Sequence, residues 1–317
     1  MMEKLILIPF LNVLLGANIF VNPAILISNS LVSRKAIAVE DRIKVDPYLL
    51  PVTETNYFPI RDWAVADPIL SVRSAVLFDS KSDKVIFSVA PDTRLPIASL
   101  TKLMTAVAVI ENLNLDDIIQ VKESAIEDSK KEGGGQDLYA GEKIKAFDLL
   151  KLMLIESSND AAYAFDEHLA DINGVSLTEE MNRKAAELEM ADTFFTEAAG
   201  LDDKQSFSTA RDLVKLVKYS FRYGFLYDIL KTDRAEVVSA DGRLSHQILN
   251  TNKLLGILFN IVGGKTGYTD LAGGSMVLVT KSPTGEGNLV SVVLGSNDRF
   301  GDTEKLVKWA EKAYIWR

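Results

Sequence analysis

Cysteine is absent from the 317 residues. That rules out disulfides, thiolate-ligated zinc, iron–sulfur clusters and a cysteine nucleophile, and leaves the redox compartment unread. Histidine is nearly absent: His168 and His246 are the only two. A Ser-His-Asp triad or a histidine-rich metal site would have to draw on one or both. His168 lies in the helix-like run Ala164-Phe-Asp-Glu-His-Leu169 and reads as a packing or surface position, so neither a metal nor a cofactor is expected. Positive charge is also short, with 35 Lys and Arg against 44 Asp and Glu for a net charge of −9. Without a Lys/Arg stripe interleaved with aromatics, that balance opposes phosphate backbones, and nucleic acid is not an expected partner. Internal repeats and low-complexity tracts are missing. The rest of the composition, 47% apolar and 25% charged, is that of a globular chain able to bury a sizeable core.

The N-terminus carries the one long apolar run, Leu5 to Ile27, interrupted by Pro9 and Pro23. It exceeds an ordinary signal-peptide apolar stretch and approaches the roughly 20 residues a spanning helix needs. Ala36-Ile37-Ala38 offers a small-x-small cleavage site beside Arg34 and Lys35. Residues 1–38 are therefore expected to be a signal peptide or an N-terminal membrane anchor, and either exports the remainder. Residues 39–68 are polar and marked by Pro47, Pro51, Pro59 and Pro68, the pattern of a linker into a domain at 69–317.

From Ser71 the alternation through Asp79, a polar Ser-Lys-Ser-Asp turn and Lys84 to Ala90 predict a β-hairpin. After Pro96 the spacing turns helical, with Leu100, Leu103, Met104, Val107 and Ile110 on one face, and helical patterns recur over 146–155, 160–170, 178–190 and 209–222. Strand patterns return at Asn260-Ile-Val-Gly-Gly264, Gly274 to Thr280 and Asn288 to Leu294, before a final helix from Thr303 to about Tyr314. Strands at both ends with helices between them imply an α/β (α+β) fold, one sheet built from both chain ends with an inserted helical subdomain.

Three short patterns carry chemistry. In Ser99-Leu-Thr-Lys102 the i, i+3 spacing puts a hydroxyl and an amine one turn apart at a helix start, where free backbone N–H groups favour a developing oxyanion. A serine without a histidine needs another base, and a lysine can serve only if burial and a neighbouring cation depress its pKa. Ser157-Ser-Asn159 falls in a turn between two helices, and Lys265-Thr-Gly267 ends an apolar strand. Singly each has a bland reading, an N-cap serine, a polar turn or a polar strand end.

In this order, on helix start, inter-helix turn and edge strand, the three match the motifs of penicillin-interacting serine enzymes. The match extends through Arg94 to Ala106, Gly141 to Ala162, Ser208-Thr-Ala-Arg-Asp-Leu213, Asn250-Thr-Asn-Lys-Leu-Leu255 and Gly264 to Asp270. Over about residues 70–316 the chain resembles the low-molecular-mass D-alanyl-D-alanine carboxypeptidases, penicillin-binding serine peptidases. The resemblance implies a β-lactamase/transpeptidase-like fold with a five-stranded antiparallel sheet. It also implies that Ser99 attacks the carbonyl between two D-alanines with Lys102 as base. Ser157 and Asn159 would relay the proton and position the substrate, Lys265 would supply positive potential, and Thr266 would hold the terminal carboxylate. The N–H groups of Ser99 and Tyr268, beyond Gly267, would form the oxyanion hole, and Arg299, in the turn before the final helix, would lie near the substrate carboxylate. The implied partners are peptidoglycan stem peptides and β-lactams, with membrane attachment through an uncleaved N-terminus, outside the cytoplasm, in cell-wall biosynthesis and cell shape.

Thr196-Glu-Ala-Ala-Gly-Leu201 departs from the family's usual Asn-Pro-x-Gly-Leu. Glu197 keeps open a class A-like β-lactamase reading, in which a glutamate activates the deacylating water, although Ser158 stands where those enzymes usually carry aspartate. DD-endopeptidase or transpeptidase activity on the same scaffold is a further alternative. A catalytically silent, penicillin-sensing or wall-binding protein is the alternative outside enzymes.

Overall fold

The computed structural model describes residues 59–131, 137–203 and 205–316. The expected targeting segment 1–38 and most of the expected linker lie outside them. Among the described residues no helix is long and apolar enough to cross a membrane.

A two-residue strand, β1 (Ile60–Arg61), precedes the hairpin of β2 (Ser74–Asp79) and β3 (Lys84–Val89). A 3₁₀ turn over Ala98–Leu100 runs into α1 (Thr101–Asn112). The helical half follows with β4 (Ile118–Gln120), α2 (Glu123–Lys131), β5 (Lys143–Lys145) and α3 (Ala146–Lys151), the last extended by a π-helical turn over Leu152–Glu156. Next come α4 (Asn159–Asn173), α5 (Leu177–Glu187), α6 (Ala210–Ser220) and α7 (Gly224–Leu230). A ribbon of β6 (Arg234–Val238) and β7 (Ser245–Leu249) leads to the long strands β8 (Ile261–Thr269), β9 (Gly273–Lys281) and β10 (Asn288–Ser296). The described chain closes with α8 (Arg299–Ala313) and β11 (Tyr314–Ile315).

The sheet has the order β3-β2-β10-β9-β8, antiparallel throughout, so its strands come from both ends of the chain as expected. Period-2 alternation divides its side chains between two cores. Ala75, Leu77, Leu289 and Val293 face one way, onto Leu306, Trp309, Ala310 and Ala313 of α8. Val76, Phe78, Val277, Val279, Val290 and Val292 face the other, into the core of the helical half. A sheet covered on both faces needs the near-continuous apolar runs seen in β9 and β10. Residues Thr101 to Val109 of α1 are all buried, so this helix is the axis around which the others pack.

Three sequence expectations shift. The final helix begins at Arg299 rather than Thr303, because the Asp298 side chain accepts from Gly301 N (3.0 Å) and caps it four residues early. Lys265-Thr-Gly267 lies inside a nine-residue edge strand, not at its end. Within the expected linker, β1 pairs with β11 and Trp309 Nε1 donates to Ala66 O (2.8 Å), so residues 60–66 pack on the final helix.

Candidate active site

The 3₁₀ turn places Ser99 immediately ahead of α1, and its geometry is tight. Ala98 has φ +51°, a left-handed conformation costing about 1 kcal/mol or more for a residue with a Cβ. Two glycines allow neighbours to close on this turn. A Cβ on Gly267 of β8 would stand 2.9 Å from Ser99 N and from Ala98 Cβ. A Cβ on Gly200 would stand 2.1 Å from Ala98 O, and Gly200 itself has φ +84°. Strand, turn and the 200–202 segment thus meet at Ser99 only because two side chains are missing.

Lys102, the second residue of α1, is fully buried at 0% exposure. Its Nζ lies 3.1 Å from Ser99 Oγ, 2.6 Å from Asn159 Oδ1 and 2.6 Å from Ala199 O. Two of these partners can only accept. A neutral amine, with two N–H groups and one lone pair, therefore spends its protons on Asn159 and Ala199 and turns the lone pair toward the Ser99 hydroxyl. Burial pulls the Lys102 pKa down to about 8, and the charges of Glu197 and Asp137 oppose the fall. Burial alone does the lowering, without the neighbouring cation that was expected to assist. Lys265, expected to supply positive potential, is itself 1% exposed and held well below the ordinary lysine range by burial first and then by the charges of Lys102 and Arg299.

The second pattern sits where the π-helical turn ends. Ser157 has φ +73°, and Ser158 caps α4 by accepting from Ala161 N (3.3 Å). Asn159, the first residue of α4, reaches Lys102. Lys265 Nζ donates to Ser157 Oγ (2.8 Å), so the edge strand and the inter-helix turn are joined through their functional groups. Thr266 is buried, and its Oγ1 lies 2.7 Å from Thr251 Oγ1. Tyr268 is exposed at the outer end of β8, and the Arg299 guanidinium lies over its ring at 5.8 Å and over Phe300 at 4.8 Å. Arg299 stands at the first position of α8, not in the preceding turn. A cavity of about 330 Å³ opens beside these groups, lined by Ser99, Asn159, residues 200–202 and residues 268–270.

Of the sequence-predicted site residues, Ser99, Lys102 and Asn159 form one contact set and Ser157 and Lys265 a second. Thr266 and Gly267 adjoin both through β8, and Tyr268 and Arg299 sit together at its rim. Sequence reading missed Ala199, since a backbone carbonyl leaves no residue signature. Glu197 is no free base. Its Oε2 accepts from Ala199 N (2.6 Å) and Tyr163 OH (3.3 Å), and its Oε1 from Gly200 N (2.5 Å) and Leu201 N (2.9 Å). The glutamate shapes the loop that presents Ala199 O to Lys102. His246 pairs with Glu142 (2.6 Å) rather than with a hydroxyl nucleophile.

Known proteins resemble this chain in sequence and in fold. The D-alanyl-D-alanine carboxypeptidase family model matches residues 62–298. A D-alanyl-D-alanine endopeptidase of Pseudomonas aeruginosa is 33% identical over 249 residues, 78% of this chain and 79% of that one. D-alanyl-D-alanine carboxypeptidase DacC of Escherichia coli is 31% identical over 260 residues, 77% of this chain and 62% of that one. Among solved structures, the Streptomyces K15 DD-transpeptidase superposes with a TM-score of 0.71 at 25% identity, over 78% of this chain and 99% of its own. With the fold, three motifs and the family match in agreement, this chain belongs to the D-alanyl-D-alanine carboxypeptidase family of serine DD-peptidases.

Proposed function

We propose that the chain is a D-Ala-D-Ala carboxypeptidase that removes the terminal D-alanine from peptidoglycan stem peptides through an ester on Ser99. The observation that carries the reading is the Lys102 contact set, two obligate acceptors and one hydroxyl around a buried amine. As Ser99 Oγ bonds to the penultimate D-alanine carbonyl carbon, its proton passes to Lys102 Nζ. The carbonyl oxygen gains charge between the N–H groups of Ser99 and Tyr268, where losing one donor costs roughly 3–4 kcal/mol of barrier. The C–N bond then breaks as the proton held on Lys102 is relayed through Ser157, hydrogen-bonded to Lys265, to the leaving amine, which leaves Lys102 neutral and Ser157 protonated again. Thr266 and Arg299 hold the leaving group's carboxylate. Water attacks the ester, returns the proton to Ser99 and frees the shortened peptide. β-Lactams would enter as analogues that acylate Ser99 and leave slowly. The same reading has the domain exported, with the N-terminal segment either cleaved or retained as a membrane anchor.

A second reading, DD-endopeptidase, draws on the relatives that carry that name, among them those of P. aeruginosa and E. coli at 33% and 32% identity. Both reactions use the same acyl-enzyme and differ in the amine that leaves. The saturated carboxylate of Glu197 speaks against a β-lactamase-type deacylating base, and contact among all three motifs speaks against a silent binding protein.

Incubation with a monomeric pentapeptide and with a D-Ala-cross-linked dimer, followed by product analysis, tests the proposal. Release of free D-alanine from the monomer supports it. Cleavage of the dimer alone selects the endopeptidase. Cleavage of neither peptide by protein that binds penicillin would sink both.

A further inference from the structure

We infer that Thr251 is a positioning residue that orients the Thr266 hydroxyl and thereby sets selectivity for substrates ending in a free carboxylate. The inference rests on the proposed role of Thr266 as the hydroxyl that receives that carboxylate. Asn250-Thr-Asn252 belongs to the family-like sequence and has no role in the chemistry above, yet it reaches the site.

A threonine hydroxyl has one proton to donate and two lone pairs. With 2.7 Å between the two Oγ1 atoms, only one proton lies on the line joining them. If Thr266 donates to Thr251, it presents lone pairs to the substrate, and a carboxylate is repelled. If Thr251 donates to Thr266, the Thr266 proton is free to point at the carboxylate, a charge-assisted bond stronger than a neutral one. An incoming carboxylate selects the second arrangement, in which the Thr251 proton occupies a Thr266 lone pair and so holds the Thr266 rotor with its own proton turned toward the carboxylate. A neutral carboxamide terminus can offer its own N–H to Thr266, so it does not require that polarity.

Thr251 is held firmly enough to act this way. Its N–H donates to Ile155 O (3.1 Å) in the π-helical turn leading to Ser157. Asn250 Nδ2 donates to Thr232 O (2.8 Å) and Leu230 O (3.2 Å). Asn250 Oδ1 accepts from Asn252 N (2.9 Å), and Asn252 is buried, with Oδ1 accepting from Leu254 N (3.0 Å). Thr251 therefore hangs between two anchored asparagines, with its main chain fixed to the second motif and its hydroxyl to the third.

The test uses the full-length chain in detergent and two peptides identical except for a D-Ala-D-Ala terminus that is a free carboxylate or a carboxamide. Steady-state kcat and KM are measured for the wild type, Thr266→Val, Thr251→Val and Thr251→Ser, with a thermal melt of each variant. Thr266→Val is expected to lose at least about ten-fold in kcat/KM on the carboxylate peptide, mostly through KM, and clearly less on the carboxamide, whose bond to the hydroxyl is not charge-assisted. Thr251→Val should show the same selective loss, roughly five- to ten-fold, and Thr251→Ser should restore the wild-type ratio. Thr251→Ala is the second hydroxyl-free variant should valine fail to fold. Equal losses on both peptides, no loss, or a serine variant as defective as valine would overturn the inference while leaving Thr266 in its role. A Thr266→Val enzyme that loses both peptides equally would instead remove the proposed role of Thr266, and the inference with it.

Discussion

At the scale of single residues the account turns on the protonation of Lys102. A base must be neutral to accept the Ser99 proton, and the neutral fraction grows with pH up to a pKa of about 8. Acylation should therefore rise about ten-fold per pH unit below that value and level off above it, as measured by stopped-flow penicillin binding. Glu197 and Asp137 both raise the Lys102 pKa, so Glu197→Gln should move this limb to lower pH. The same change puts an amide donor against a backbone N–H. A thermal or denaturant melt should show a loss of about 1–3 kcal/mol. The lifetime of the penicillin adduct should stay near wild type; its sharp prolongation would restore the deacylating-base reading of Glu197. The proposed base, Lys102, could be picked out in the sequence, because two histidines and no cysteine leave few candidates. The acceptors that aim it were only half legible: Asn159 belongs to a motif, whereas Ala199 contributes a carbonyl that any residue would supply.

At the scale of elements the site depends on how closely β8 approaches the turn before α1. Gly267→Ala forces a Cβ to 2.9 Å from Ser99 N, and Gly200→Ala meets both a clash and an unfavourable φ. Each substitution should lower penicillin acylation more than ten-fold while circular dichroism retains the native spectrum, since the displaced atoms lie at the site and not in the two sheet cores. The long strands and helices were readable because their burial is periodic: Ala75 and Leu77 face α8 while Val76 and Phe78 face the opposite core. The short ribbons β4–β5 and β6–β7 were not: β4 and β5 pair across α2 and are too short to show a period, and β6 and β7, though a local hairpin, bury only Val237 and Ile248. Neither was the start of α8, whose cap, Asp298, is followed by Gly301 in the first turn. Ser208-Thr-Ala-Arg-Asp212 was recognised from the family without a role. Thr209 caps α6 by accepting from Asp212 N (3.1 Å), and Asp212 Oδ2 accepts from Asp192 N (3.0 Å) and Thr193 Oγ1 (3.0 Å). Its part is structural.

At the scale of the whole molecule, the sheet built from both chain ends is closed by contacts from the stretch expected to be linker. Arg61 donates to Ala313 O (3.2 Å) and Val65 O (2.6 Å), with its guanidinium over Trp309 at 4.9 Å and Tyr314 at 5.6 Å. A chain trimmed to begin at Leu70 loses Arg61 and the β1–β11 ribbon, and its Tm should fall by about 4–8 °C, corresponding to 2 kcal/mol or so. A Tm unchanged by the trim would return residues 59–68 to the role of linker. The sequence concealed this packing because prolines marked the segment as irregular, and irregular chain can still be fixed by an arginine stacked between aromatic rings.

The central claim is that one acyl-enzyme forms, on Ser99, through Lys102. The most direct measurement is mass mapping of protein quenched after brief exposure to penicillin, with Ser99→Ala and Lys102→Met in parallel. The account predicts an adduct confined to the peptide that carries Ser99, absent in the alanine variant and formed orders of magnitude more slowly in the methionine variant. An adduct that persists in Ser99→Ala, or that maps to another residue, would contradict it.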